Sequence, residues 1–345
     1  MAVGANCPVP ISGNRVIVLL SGCGAVGARA ARQLVTVAGV ERVIIDDPRD
    51  DQVRAVCGAI GGQAEALGAR SWEDVRADVV VLAMPPGHGD AAGRALSFGA
   101  HVVSVSDSIA DARALLAFHT RAFDAGRAVV IGAGFAPGLS CLLAVHAGAE
   151  FASVDEIHVA KLGTAGPTCA RQHHEALRSD ANDWRDGRWV SSPGGSGREL
   201  CWFPDPVAGA DCYRAALADP LLLQPAFPTA TRITARMAAT RRDRLTSRLP
   251  MLRPPHAEAG AGAIRVEVRG RRDGVADAVV FGVMDRPSVA SGAMVAVAVG
   301  AIAGAGLRRK GAGGVAEMVS PLPALLELAR RGVKCARFEG AAAAR

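Results

Sequence analysis

Gly22, Gly24 and Gly27 stand at the spacing G-x-G-x-x-G, directly after the apolar run Val16-Ile17-Val18-Leu19-Leu20 and before an Ala-rich stretch that opens at Ala25. Between a strand and a helix, each of these glycines has a separate task. Gly22 makes the tight turn, Gly24 lets the backbone approach a pyrophosphate, and Gly27 lets the helix sit close to the strand. Cys23, Ala25 and Val26 complete the loop, and Cys23 there needs only to be small and has no redox role. The phosphates of a dinucleotide would lie against the unpaired N–H groups and the positive end of the helix. A second apolar strand, Val43-Ile44-Ile45, ends in Asp46-Asp47, about twenty residues after the loop, where a carboxylate accepts the hydroxyls of an adenosine ribose. The rival reading is a strand–helix–strand unit with a solvated acidic turn and no cofactor.

Composition removes several classes of function. The chain has 345 residues, half of them hydrophobic, which is enough for two domains with their own cores. Its formal net charge is +6, but only three of 39 basic residues are lysine and 40 residues are glycine, which spreads arginine by compositional bias rather than by design. Aromatic residues make up 4% with no basic–aromatic interleaving, so no nucleic acid is expected as a partner. The eight cysteines are scattered without a C-x-x-C pair, which argues against a zinc site and a disulfide framework and suits a reducing cytoplasm. Residues 1–10 lack the pattern of a signal peptide. The uncharged stretch Ser288–Leu307 reads as a buried helix rather than a membrane span, with Gly292, Gly300 and Gly304 allowing close backbone approach.

The elements that must position the glycine loop follow from periodicity. Buried strands are expected over 78–83, ended by Met84-Pro85-Pro86, and over 101–107 and 128–132. Helices are expected over 25–38, 50–60, 90–98 and 109–125. The alternation describes a doubly wound, mostly parallel Rossmann sheet, whose ligand lies beyond the carboxyl ends of its strands. That rule joins the glycine loop, Asp46-Asp47, Met84-Pro85-Pro86 and Ser106-Asp107 into one crevice. After residue 150 the strands alternate instead, over 154–161, 264–269 and 278–284, the last two as a hairpin about Asp273-Gly274. A helix over 168–178, a Gly/Ser loop over 191–197 and a proline-punctuated section over 204–228 lie between them. The expected organisation is a nucleotide-binding domain over 1–149 and an inserted α+β domain on an antiparallel sheet over 150–287, serving substrate binding and dimerisation. C-terminal helices over 288–345 return to the first domain.

These residues carry a resemblance. Gly22-x-Gly24-x-x-Gly27, the strand end Ala83-Met84-Pro85-Pro86 and the run Gly99–Asp107 resemble the saccharopine dehydrogenase (saccharopine reductase-like) family. Most specific is Gly132-Ala133-Gly134-Phe135-Ala136-Pro137-Gly138-Leu139-Ser140, similar to that family's loop leading out of its first domain. The likeness is good over the first 145 residues and suggestive beyond, to the Gly-rich helix and the ending Leu328-Ala329-Arg330-Arg331-Gly332-Val333. It implies a nicotinamide-dependent hydride transfer at a carbon–nitrogen bond of an amino-acid-like substrate, often in a homodimer. Ala136 departs from the family, which commonly has an acidic residue there, so saccharopine itself is not carried over.

Within that chemistry the cofactor supplies hydride, and the protein aligns it, protonates nitrogen and holds carboxylates. Lys161, His158, His173 and His174 are the candidates for the proton step, with Lys161 and His173 in the leading position. A depressed pKa in a closed cleft would suit Lys161 as donor, against the alternative of a solvated strand-end amine. His173 and His174 point about 100° apart on a helix, so they cannot both face one cleft. Each also reads as a surface or capping residue. Arg232, Arg236, Arg241, Arg242, Arg244, Arg248 and Arg253 offer grips for a substrate carboxylate or, equally, a solvated basic face. Two acidic residues after the second strand favour NAD over NADP, while Arg49 and Arg54 counter them. The alternatives are a Rossmann enzyme acting on an alcohol or sugar, and a non-catalytic dinucleotide sensor.

Overall fold

A computed structural model describes residues 15–338 apart from 252–254, 257–258 and 305. The first half alternates β1 (Val16–Ser21), α1 (Ala25–Leu34), β2 (Val40–Asp46), α2 (Asp50–Ile60), β3 (Ala64–Ala66), β4 (Val79–Leu82), α3 (His88–Ser97), β5 (His101–Ser104), α4 (Ile109–Leu116), α5 (His119–Asp124), β6 (Ala128–Ile131) and α6 (Leu139–Gly148). The second half runs β7 (Ser153–Leu162), α7 (Pro167–Arg178), β8 (Ala181–Arg185), β9 (Arg188–Ser192), β10 (Glu199–Trp202), β11 (Gly209–Arg214), α8 (Asp219–Leu223), β12 (Arg232–Ala238), α9 (Arg241–Thr246), β13 (Gly262–Arg272) and β14 (Val275–Asp285). It closes with α10 (Pro287–Ala303), β15 (Gly311–Gly314), α11 (Val315–Met318), α12 (Pro321–Arg330) and β16 (Cys335–Arg337).

Among the described residues, seven strands form a wholly parallel sheet in the order β15-β6-β5-β4-β1-β2-β3. Its central strands read Val-Val-Val-Leu, His-Val-Val-Ser and Ala-Val-Val-Ile and are buried along their whole length, because helices cover both faces. This is the doubly wound Rossmann sheet expected. The order reverses direction between β1 and β4, which opens a crevice at their carboxyl ends. β15, Gly-Ala-Gly-Gly, carries only the Ala312 methyl, too little to announce a strand, and backbone pairing to β6 makes it one. The helix expected over 109–125 is two, α4 and α5.

The second sheet has nine strands, with the path β10-β11-β12-β7-β13-β14-β16 and the hairpin β8–β9 attached at β12. It is antiparallel except at β12–β7, which run parallel, so the sheet is mixed rather than antiparallel throughout. The β13–β14 turn places Asp273 at φ +52° and Gly274 at φ +79°, the left-handed pair a two-residue hairpin turn needs. The segment after α10 serves both sheets: β15 extends the first and β16 pairs with β14 of the second. α10 is buried along almost its whole length and packs on α1. Among the described residues no helix is long and apolar enough to cross a membrane.

Candidate functional site

The glycine loop has two glycines the protein itself requires. Gly22 lies at φ +99°, and a Cβ on it would come within 2.5 Å of the Ala83 carbonyl and the Met84 nitrogen; one on Gly27 would lie 1.9 Å from the Gly22 oxygen. Gly24 differs. Its φ of −74° and ψ of −161° are open to any residue, and a Cβ there would meet only Arg49 Nη2 at 3.9 Å. The space it leaves faces the start of α1, where no side chain caps the helix and the first turn carries no acid. Bare N–H groups beside an open backbone make a cradle into which a phosphate fits.

The two acids after β2 are put to different uses. Asp46 Oδ2 accepts a hydrogen bond from Trp72 Nε1 at 2.8 Å. Asp47 braces the loop: its Oδ2 accepts from the Cys23 N–H at 2.6 Å, and both its oxygens accept from the Arg49 guanidinium at 2.8 and 2.9 Å. Gln52 Nε2 donates to the Cys23 carbonyl at 2.9 Å, so the peptides on both sides of Cys23 are held. Burial alone would raise the Asp47 carboxyl, but the Arg49 and Cys23 bonds outweigh it and hold it below the usual carboxylate range. The Cys23 thiol, buried beneath the loop, is pushed up to about 11 by burial and the Asp47 charge.

A cavity of about 1140 Å³ begins at this cradle and ends in the second half of the chain. It brings together Gly22, Gly24, Ala25, Val26, Asp46, Asp47, Met84, Pro85, Ser106 and Asp107 with Lys161 of β7 and His173 of α7. Of the remaining crevice residues, Gly27 and Cys23 sit behind the loop and Pro86 is exposed outside the lining. Asp111 shapes the far wall: its Oδ1 accepts the Gly87 and His88 N–H groups, each at 3.0 Å, and its Oδ2 accepts the Ser106 hydroxyl at 2.6 Å. His88, buried, bonds Ser104 Oγ at 2.8 Å and the Met84 carbonyl at 3.1 Å. Neither Asp111 nor His88 has a sequence signal, since each reads as an ordinary helical polar residue.

Lys161 is 3% exposed, which excludes the solvated strand-end amine. Its Nζ donates to Asp107 Oδ2 at 3.3 Å and to the Ala136 carbonyl at 3.1 Å, so the main chain of Ala136 contributes where a side-chain acid is missing. The expected fall in its pKa is overturned. Burial is the largest influence and lowers it, but the Asp107 charge and hydrogen bond together with the Cys169 and Asp219 charges outweigh burial, and the ammonium is held above its ordinary value. His173 Nε2 lies 3.7 Å from Asp107 Oδ2, and burial with the Lys161 charge drives it well below its ordinary value. Cys169, one helical turn before it, has its Sγ 3.6 Å from His173 Nε2 and is pushed up to about 12 by burial and Asp107. Scattered cysteines gave no warning of it, because its partners are distant in sequence.

The other candidates lie elsewhere. His174 turns away, its Nε2 2.8 Å from the Leu249 carbonyl, as the angle between neighbouring helical side chains requires. His158 bonds Thr234 and Glu156 on the second sheet, outside the cavity. Arg236 is buried against Asp183 and Arg244 stacks on the Tyr213 ring, and neither these nor Arg232, Arg241, Arg242 and Arg248 line the cavity. Arg253 falls outside the described residues. Arg29, Arg32, Arg49 and Arg171 supply its positive charge instead.

No family model and no curated protein sequence matches the chain. Solved structures do match in fold. Saccharopine dehydrogenase (L-Glu forming) from Saccharomyces cerevisiae aligns with a TM-score of 0.67 over 94% of this chain and 100% of that one, at 16% identity. The amine dehydrogenase from Mycobacterium smegmatis aligns with a TM-score of 0.51 over 88% of this chain and 96% of that one, at 10% identity. In fold, this chain, a parallel Rossmann sheet joined to a second mixed sheet, is similar to saccharopine dehydrogenase.

Proposed function

We propose that the chain is a nicotinamide-dependent oxidoreductase that transfers hydride at a carbon–nitrogen bond of a small, carboxylate-bearing, amino-acid-like substrate. The observation that carries this reading is a single cavity with a phosphate cradle at one end and a buried ammonium at the other. The names of the two fold relatives, one a saccharopine and one an amine dehydrogenase, agree with chemistry at nitrogen. In this reading residues 1–149 bind the coenzyme, 150–287 hold the substrate and form a homodimer, 288–345 complete both, and the protein works in the cytoplasm.

A bound nicotinamide dinucleotide supplies the hydride. Gly24 admits its diphosphate to the N–H groups that open α1, and Asp46 at the end of β2 is available to a ribose hydroxyl, which favours NAD(H). Arg32 and Arg49 line the same end and give NADP(H) a counter-charge. At the other end Lys161 holds a proton on Nζ, oriented by Asp107 and the Ala136 carbonyl. Nζ would give that proton to the substrate nitrogen during reduction and would take it back in the reverse direction. Arg171, exposed at the rim, suits a substrate carboxylate.

Thermal shift with NAD, NADH, NADP and NADPH tests the reading. At about a hundred times its Kd, a coenzyme should add about 2.7 kcal/mol of stability. Gly24→Asp should lose the shift while keeping the urea midpoint, because a Cβ there makes only an ordinary 3.9 Å contact with Arg49 Nη2 and the new carboxylate repels the diphosphate. No shift with any of the four on folded wild-type protein would overturn the proposal. Coenzyme absorbance against pairs of amino acid and keto acid then separates an enzyme from a sensor.

A further inference from the structure

Cys169 and His173 stand four residues apart on α7, so their side chains leave one face of the helix. That face meets Asp107, presented from the end of β5. Cys169 Sγ is 3.6 Å from His173 Nε2 and 3.9 Å from Asp107 Oδ2, and those two partners are 3.7 Å apart. A sulfur, an imidazole nitrogen and a carboxylate oxygen thus form a nearly equilateral triangle on the cavity wall. A tetrahedral zinc ion, about 2.3 Å from sulfur and about 2.1 Å from nitrogen and oxygen, holds such ligand atoms roughly 3.4–3.6 Å apart. The triangle needs to contract by only a few tenths of an ångström to close on one.

We infer that Asp107, Cys169 and His173 form a binding site for one divalent ion of the zinc class, with a fourth position open to the cavity. The donor set selects the metal: thiolate and imidazole suit zinc or cobalt, whereas magnesium and calcium take oxygen. Three protein ligands and an open position are the arrangement of catalytic rather than structural zinc. On binding, the Cys169 S–H bond breaks, its proton goes to solvent and a sulfur–metal bond forms, with no change of oxidation state. Thiolate and carboxylate together balance the double charge of the ion. Lys161, 3.3 Å from Asp107 Oδ2, becomes the outer partner that orients the ligating carboxylate. The fourth position takes water or an oxygen or nitrogen of a small molecule in the cleft. Asp107 comes from the first sheet and the other two ligands from α7 beyond β7, so the ion ties the two halves across the cavity. The site does not rest on the coenzyme reading.

The test is metal content and spectroscopy of the full chain, stripped with chelator and dialysed against Zn²⁺ or Co²⁺. Wild-type protein should retain about one ion per chain, and its Co²⁺ form should show a thiolate-to-cobalt charge-transfer band with intense tetrahedral ligand-field bands. Cys169→Ser should lose the charge-transfer band and weaken binding by about tenfold or more, while His174→Ala, whose ring points away, should keep both. X-ray absorption of zinc-loaded wild-type protein, which needs no variant, should find one sulfur at about 2.3 Å among nitrogen and oxygen neighbours. Folded wild-type protein that binds no ion, a charge-transfer band that survives Cys169→Ser, or a zinc shell without sulfur would each overturn the inference.

Discussion

Lys161 and Asp107 form a pair in which neither group is comfortable alone. The ammonium is 3% exposed and its carboxylate partner stands at the cavity wall, so removing one leaves a charge in a dry place. Lys161→Met should therefore lower stability by about 3 kcal/mol or more and turnover by about 10²- to 10⁴-fold, while the coenzyme-induced thermal shift persists. Adding Asp107→Asn should recover most of the stability, read as a urea midpoint, and none of the turnover. Retained turnover in the single variant would remove Lys161 from the proton step. Lys161 is one of only three lysines in the chain, which marks it in the sequence, but the sign of its pKa shift does not follow from that, because it depends on Asp107, 54 positions away. His173 shows the same limit: adjacency with His174 established that only one of them could enter a cleft, and the packing of α7 chose which.

At the scale of elements, the contact between α1 and α10 sets where the glycine loop sits. Of the three glycines expected to allow close approach, Gly292 of α10 does so: a Cβ there would lie 2.9 Å from the Arg29 carbonyl carbon and 3.0 Å from the Ala30 nitrogen. Both are backbone atoms that cannot swing aside, so Gly292→Ala should cost about 1–3 kcal/mol by forcing the helices apart. Gly300 is different, since its Cβ would make an ordinary 3.6 Å contact with Val37. Gly300→Ala should be neutral or stabilising by up to about 1 kcal/mol through helix propensity. Thermal or urea melts of the two variants decide the matter, and equal effects would contradict the close-packing argument. Periodicity revealed the long apolar helix and five strands of the first sheet, but not the three-residue edge strand β3 nor β15, whose glycines lack any strand signal and pair only because β6 offers an open edge.

At the scale of the whole molecule, stability should depend on pH through His101. Burial first, and then the Arg127 charge, bring this imidazole down to about 4, and its Nδ1 accepts the Ala128 N–H at 3.1 Å. In the unfolded chain a histidine titrates near 6.5. Between those values the unfolded chain binds a proton that the native protein refuses, so stability falls as pH drops through the window and is unaffected by this group above it. Its share is about 2 kcal/mol at pH 5. Urea midpoints at pH 7 and pH 5 should therefore drop less in His101→Gln than in wild type, and parallel drops would assign the loss to other groups.

The strand–loop–helix start, the run of buried parallel strands, the β13–β14 hairpin and the identity of the crevice were all fixed by local pattern, because strand burial, turn chemistry and glycine spacing act over a few residues. Which side chains from the second half of the chain join Asp107 in that crevice was not. Asp107, Lys161, Cys169 and His173 come from a loop, a strand and a helix of different sheets, and Asp111 and His88 hold the wall from helices that look ordinary in sequence. Proximity across a chain of this length is settled by how β7 and α7 dock over the carboxyl ends of β4 and β5. The charge state of each group is then settled by its neighbours, and no period in the sequence encodes either.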